Sequence, residues 1–139
     1  MRYVYDVTIT PQEDGSYLVR FPQIPEAITD GDTVEEAREQ AVDALVAALG
    51  GYIEFGRPLP QPGSRPDAIA IPPLQAAKLA LYATMKAGRV SNTELARQLG
   101  VTENAVRRLL DLDHRSHFDQ VTRALALLGR RVILDVEAA

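Results

Sequence analysis

The chain has 139 residues, of which 46% are hydrophobic and 24% are charged, a composition typical of folded globular proteins and not of disordered chains. It contains no cysteine, which excludes disulfides, thiolate zinc sites and cysteine nucleophiles. The net charge of −4 is uneven, because residues 1–66 carry five basic and eleven acidic side chains and residues 67–139 carry ten and eight, which predicts two modules with different partners.

The first module is predicted to open with a β-hairpin. Apolar residues alternate over residues 3–9 and again over residues 16–21, and a turn sequence separates them at residues 11–15. Two prolines then bracket a bend, and residues 27–29 are predicted as a short third strand. Each of these strands has one apolar face for a core.

A helix is predicted next, and it begins with a capping box. Thr33 and Glu36 have the required spacing, so that the Thr33 hydroxyl can accept a free backbone N–H while Glu36 reaches back. One wide face of the helix is apolar. Gly50 and Gly51 weaken it, which leaves open whether it ends there or continues to Phe55.

A proline-rich connector separates this helix from the rest of the chain. Residues 56–67 contain four prolines and two glycines, and residues 68–71 are predicted as a fourth strand. The order β-β-β-α-β indicates a small α/β sandwich with one helix on one sheet face. We therefore expect a first domain over residues 1–72 and a second over residues 73–139.

The second domain is predicted to be all-helical, because the apolar period changes from 2 to 3.6 at Leu74. Four helices are expected. Apolar and polar residues alternate, although weakly, over residues 131–136, which are therefore a candidate closing strand. The residues expected to cap or break these helices are Gly88, Ser91, Gly100, Thr102, Ser116 and Gly129.

Residues 91–110 meet the requirements of a helix-turn-helix. Ala96 supplies a small side chain where two helices cross closely, and Gly100 tolerates a positive φ at the turn. Apolar residues at the remaining positions can lock the crossing, namely Leu95, Leu99, Val101, Val106 and Leu109. The alternative is an ordinary helical corner that touches no DNA.

Two groups of polar residues form the predicted DNA-contacting surface. In the major groove Asn104 can read adenine, and Arg107 or Arg108 can read guanine. The start of the preceding helix suits a phosphate, because its N–H groups are free. The predicted DNA-binding residues are Ser91, Asn92, Thr93, Thr102, Glu103, Asn104, Arg107, Arg108 and Asp111. Taken singly, each can equally be a solvated surface residue.

The pairing of an acidic α/β domain with a helix-turn-helix resembles the HicB antitoxins of bacterial toxin–antitoxin systems, in their helix-turn-helix subgroup. The resemblance spans nearly the whole chain and is carried by FPQIPEAITDGDTVEEA at residues 21–37 and LDLDHRSHFDQVTRAL at residues 110–125. It implies an α+β fold, in which a partial RNase H-like domain precedes an all-α helix-turn-helix domain.

The resemblance also implies the partners. Residues 1–72 would neutralise a HicA-type toxin that cleaves mRNA, and residues 73–139 would bind operator DNA, repress the protein's own operon and form a homodimer or higher oligomer. It does not identify the toxin-contacting residues. Candidate dimer contacts are the fourth helix, with Phe118, Val121, Leu125 and Leu128, and the segment 131–136.

Catalysis is not expected. A two-metal nuclease needs converging carboxylates, but Asp6 is the only one in the first strand, and Glu39 and Asp43 are expected on an exposed helix face. His114 and His117 lack accompanying metal ligands. No catalytic residue, metal or cofactor is therefore predicted.

One rival function is a stand-alone transcriptional regulator whose first domain senses a ligand or a protein. A domain of about 70 residues leaves little volume for a ligand pocket. The chain has no apolar run near the roughly 18 residues that span a bilayer, and its start is a strand pattern and not a signal peptide. We therefore expect a cytoplasmic protein without membrane contact.

Overall fold

The computed structural model describes residues 1–139, which divide into two compact units, Met1–Ile71 and Pro72–Ala139. The first unit carries five basic and twelve acidic residues, and the second carries ten and seven. No helix in either unit is both long and apolar enough to span a bilayer.

The first unit contains two small antiparallel sheets. Strands β2 (Thr8–Pro11), β3 (Tyr17–Phe21) and β4 (Ile24–Gly31) form one, in the order β2-β3-β4. Strands β1 (Val4–Tyr5) and β5 (Ile69–Ala70) form the other. The predicted hairpin is confirmed as β2–β3. The α+β fold class predicted from the sequence is likewise confirmed.

Two strands differ from the sequence-based prediction. The expected first strand is interrupted after Tyr5, and its two halves join different sheets. The expected third strand is longer, because β4 pairs with β3 at both its ends and its pairing register shifts between Arg20 and Phe21. The shift leaves the residues around Pro25 out of the ladder, which suits a residue that has no N–H to donate.

Helix α1 (Val34–Glu54) packs on β3 and β4. The Oγ1 of Thr33 accepts the N–H of Glu36 at 3.0 Å, which confirms the predicted N-cap. The helix continues through both glycines, so the longer of the two alternatives holds. Its buried face consists of Ala37, Ala41, Leu45, Leu49 and Tyr52. Val34 is 47% exposed and does not join this face.

The entry into α1 depends on a close backbone approach at Gly31. A Cβ at this position would lie 2.7 Å from the Cα of Ala37, which is closer than atoms can approach without moving the backbone. The absence of a side chain at Gly31 therefore lets the end of β4 pack directly on the first turn of α1.

The second unit contains helices α2 (Pro73–Gly88), α3 (Asn92–Leu99), α4 (Glu103–Leu110) and α5 (Phe118–Leu127). Its apolar core consists of Ala77, Leu81, Met85, Leu95, Ala96, Val106, Leu109, Val121, Ala124 and Leu125. Because Val121 and Leu125 are used in this core, they are not available for the dimer contact that was expected of them.

Two further expectations for this unit are wrong. Ser116 does not cap α5, whose N-cap is His117, because the Ser116 hydroxyl is engaged with Lys78 inside the unit. Residues 131–136 form no strand, because no other strand lies in this unit to pair with them.

Candidate nucleic-acid interface

Helices α3 and α4 have the geometry of a helix-turn-helix. The hydroxyls of Ser91 and Thr102 accept backbone N–H groups of Glu94 and Ala105, each at 3.1 Å, so that both helix starts are capped. Gly100 ends α3 with a φ of 69°, a conformation that costs glycine little. The turn closes through the N–H of Val101, which donates to the carbonyl of Ala96 at 3.0 Å.

The crossing of the two helices is held by five of the expected residues. Leu95, Ala96, Val106 and Leu109 are buried, and Leu99 packs against the same core. Val101 is 45% exposed, so its predicted locking role is wrong. It directly follows the left-handed Gly100 in the turn between the helices, which explains its access to solvent.

The nine predicted DNA-binding residues all lie on α3, on α4 or at their caps. Ser91, Asn92 and Thr93 form the start of α3, and Thr102 caps α4. The others lie on α4 or directly after it, and only Glu103 among them is partly shielded. The structure thus brings the nine together on one helix-turn-helix.

The two arginines of α4 differ in their surroundings. Arg107 donates to Asn104 Oδ1 at 2.8 Å and to Glu103 Oε2 at 3.4 Å, and Glu103 also accepts the hydroxyl of Thr93. Arg108 is exposed, and its guanidinium makes none of the ion pairs or hydrogen bonds of the unit. A ligand can therefore engage Arg108 without breaking a contact, whereas engaging Arg107 requires an exchange of partners.

Acidic groups moderate the charge of the helix-turn-helix. Arg97 and Gln98 donate to the carboxylate of Glu94, and these hydrogen bonds lower the pKa of Glu94. Arg97 is therefore paired within α3. A surface on which most arginines are already paired attracts a polyanion weakly at long range, so affinity must come from fitted contacts.

Lys78 is a buried charge on α2, where it lies among the apolar residues of the buried face of that helix. Its Nζ donates to the carbonyls of Arg108, Asp111 and His114 at 2.9, 2.6 and 2.8 Å, and to Ser116 Oγ at 2.9 Å. Burial lowers its pKa, against the attraction of Asp111. Lys78 thereby fixes the end of α4 and the loop after it. A lysine within an apolar stripe was the available signal.

The two histidines lie at and just before the start of α5. The Nδ1 of His114 lies 3.1 Å from Ser116 Oγ, and His117 is the N-cap of α5. The structure contains no group of three or more potential metal-ligating side chains.

Asp6, the carboxylate considered for a nuclease, is occupied by the connector. It is buried, and it accepts the backbone N–H groups of Ser64 and Arg65 at 3.1 and 2.9 Å and the amide of Gln23 at 2.9 Å. The hydrogen bonds from Arg65 and then Gln23 lower the pKa of Asp6. Glu39 and Asp43 are exposed on α1.

The connector can approach Asp6 because Gly63 has no side chain. A Cβ at Gly63 would lie 2.6 Å from the backbone nitrogen of Asp6, and the N–H of Gly63 donates to the carbonyl of Val4 at 2.8 Å. The contacts of Asp6 and Gly63 explain why the predicted first strand is interrupted between β1 and β2, which belong to different sheets.

Known proteins of one class match this chain. A family model described as the HicB_like antitoxin of bacterial toxin–antitoxin systems matches residues 4–80. Antitoxin HicB of Pseudomonas fluorescens is 43% identical over 132 residues, which cover 92% of this chain and 90% of that protein. Antitoxin HicB of Escherichia coli K12 is 39% identical over 133 residues, 94% and 96% of the two chains. Antitoxin HicB 1 of Photorhabdus laumondii is 38% identical over 134 residues, 96% and 86% of the two chains.

These matches extend through both units, and they define a protein of the toxin–antitoxin class. The chain belongs to the HicB-like antitoxin family, as its sequence motifs predict.

Proposed function

We propose that the protein neutralises a HicA-type mRNA-cleaving toxin through Met1–Ile71, and represses its own operon by binding operator DNA as a homodimer through Pro72–Ala139. The observation that carries the proposal is the helix-turn-helix with its exposed polar helix, in a chain whose relatives named Antitoxin HicB align with both units. In this proposal the protein acts by binding and has no catalytic role.

Charge supports the assignment of the first unit to the toxin. With five basic and twelve acidic residues, it complements the basic surface expected of a protein that binds and cleaves RNA. Glu35, Glu39 and Asp43 lie exposed along α1, opposite its buried face. An interface of this kind forms faster at low ionic strength.

The capped helix start and the free arginine support the assignment of the second unit to DNA. The first N–H groups of α3 can bind a phosphate, and α4 offers Asn104 and Arg108 to base edges. A second copy of the unit would read a second half-site about one DNA turn away.

The contacts of Asp6 argue against a nuclease. Its carboxylate already accepts two backbone N–H groups and an amide, so metal binding would have to displace the connector.

Two assays test the two halves of the proposal separately. Co-expression with the toxin encoded beside it should restore growth, and the purified protein should retard DNA from its own promoter. Arg108→Ala should weaken promoter binding by about 1–3 kcal/mol and should relax the sequence preference at one base position. The same variant should leave growth rescue unchanged. Arg123→Ala, which removes an exposed arginine of α5, is the matched control.

The outcomes separate the alternatives. If Arg108→Ala weakens binding equally for all DNA sequences, Arg108 contacts a phosphate and not a base. Failure to restore growth beside an intact promoter shift would exclude the antitoxin assignment and leave a stand-alone regulator.

A further inference from the structure

The end of α4 is held differently from the ends of the two helices before it. Helices α2 and α3 end at residues with a positive φ, Arg89 at 53° and Gly100 at 69°, a conformation in which the backbone itself closes a helix. Helix α4 ends at Asp111, whose backbone is extended, so it ends without this closure. Its last carbonyls therefore need donors from elsewhere in the unit.

Lys78 of α2 supplies these donors. Its side chain is 0% exposed, and its Nζ lies 2.6–2.9 Å from four oxygen atoms within residues 108–116. One of them is the carbonyl of Arg108 in the last turn of α4, which also accepts the hydroxyl of Ser116 at 3.3 Å. The buried ammonium therefore fixes the backbone of α4 at Arg108 with respect to α2.

The side chain of the same residue is the free arginine of the predicted DNA-contacting surface. Arg108 is exposed, and no neighbouring side chain holds its guanidinium, so its backbone alone decides where it is presented. A helix of eight residues is not stable by itself, and its last turn depends on tertiary contacts. A binding group must be held to within about 0.5 Å to make a specific contact.

We propose that Lys78 is a positioning residue for base recognition, which holds α4 so that Arg108 reaches one base pair in the major groove. The inference rests on the proposed function, because it requires operator binding through α4. Lys78 is buried and acts through the backbone of Arg108, not by touching DNA. Loss of its ammonium should therefore reduce the preference for the operator over other DNA, whereas the sequence-independent attraction to phosphates should persist.

A purely structural role of Lys78 predicts a different result. A variant that only destabilises the unit lowers the folded fraction, which reduces the apparent affinity for every DNA by the same factor. The ratio of the affinities for promoter DNA and for scrambled DNA of the same length would then stay constant. This affinity ratio, measured by band-shift titration, therefore separates positioning from stability.

Chemical restoration of the ammonium tests the proposal, because the chain has no cysteine of its own. In the unfolded Lys78→Cys variant the thiolate displaces bromide from 2-bromoethylamine, and the new side chain ends in an ammonium group at nearly the length of lysine. Alkylation with 2-bromoethanol gives the matched control, which has the same length but ends in a neutral hydroxyl group. Both full-length derivatives are refolded and titrated with the two DNAs.

The neutral derivative should show an affinity ratio about tenfold lower than that of the natural chain. The ammonium derivative should recover the ratio to within about threefold of the natural value. Adding Arg108→Ala to the neutral derivative should cause little further loss, because both changes remove the same base contact. An unchanged ratio in the neutral derivative, or two losses that multiply, would overturn the proposal.

A milder variant tests the same contact if the neutral derivative does not refold. Ser116→Ala leaves Lys78 in place but removes the hydroxyl that accepts from Lys78 and donates to the Arg108 carbonyl, so the affinity ratio should fall by about twofold or more. Thr84→Val is the matched control, because Thr84 is also 9% exposed and its hydroxyl donates to Ala80 within α2. Equal effects of the two variants would contradict the positioning role.

These outcomes are distinct from a failure of the proposed function. A natural chain that binds promoter and scrambled DNA equally well would refute operator recognition, and the inference with it. A natural chain that prefers its promoter, beside a neutral derivative that keeps this preference, would refute the positioning role of Lys78 alone.

Discussion

Each unit of the protein holds one charged side chain away from solvent, and the two charges are opposite. In the first unit the carboxylate of Asp6 accepts N–H groups from the connector. In the second the ammonium of Lys78 donates to carbonyls at and after the end of α4. The sign of each charge suits the backbone groups that it meets, which are N–H groups in the connector and carbonyls at and after a helix end.

The two anchors differ in reach. Asp6 accepts backbone N–H groups from residues that follow it by 58 and 59 positions in the sequence. Lys78 donates to residues that follow it by 30 to 38 positions. Each fixes an irregular segment that has no ladder or helix of its own. A buried charge of this kind stabilises the fold through its hydrogen bonds to the backbone, and these are lost when the charge is removed.

The largest expected effect is that of removing the charge of Lys78. Lys78→Met keeps the length of the side chain but removes the hydrogen bonds that the buried ammonium donates to three carbonyls and to Ser116, so the second unit should lose about 3 kcal/mol or more of its free energy of unfolding. Hydrogen exchange of the full chain should accelerate in α4 and α5 and remain unchanged in α1. Lys86→Met, at the only other lysine, is the control. Equal effects of the two variants would contradict the anchoring role.

A smaller effect is expected at Gly31 in the first unit. Gly31→Ala drives a Cβ into the backbone of Ala37, so we expect a loss of about 1–3 kcal/mol. The matched variant Gly50→Ala adds a methyl group where no neighbouring atom lies within 4 Å, inside α1 near its C-terminal end, and should stabilise the unit by up to about 1 kcal/mol. Urea unfolding followed by circular dichroism measures both, and the same sign for both would be the contrary result.

The effect of Asp6 should depend on pH. Its pKa lies below the ordinary 3.8 in the folded protein, so its stabilising contribution is present above about pH 4 and is lost as the pH falls through the folded value. Asp6→Asn should therefore unfold more easily than the natural chain at pH 7, and the difference should shrink at pH 3. A difference that stays constant across this range would show that the charge is not responsible.

Local signals explain which elements could be predicted from the sequence. Thr33, Ser91, Thr102 and Gly100 act on residues within five positions of themselves, so a sequence window contains the whole interaction. The interruption after Tyr5 could not be predicted, because its cause is the distant connector around Gly63. The prediction that Ser116 caps α5 failed for the same reason, since the partner of its hydroxyl is Lys78, which lies 38 positions away in the sequence.

The candidate site shows the same limit. Periodicity predicts that α4 turns Asn104, Arg107 and Arg108 outward, and all three are exposed. It cannot predict that Arg107 is paired while Arg108 is free, because rotamers decide this. It also predicted a closing strand over residues 131–136, which is absent because no other strand lies in the same unit.

Glu103 has a consequence for selectivity. Thr93 and Arg107 hold its carboxylate at the start of α4, so a fixed negative charge stands where the helix would meet a base pair. A cytosine amino group can satisfy it, whereas the acceptor edges of guanine and thymine are repelled. In the proposed operator complex this position would discriminate by rejecting wrong bases more than by rewarding the right one.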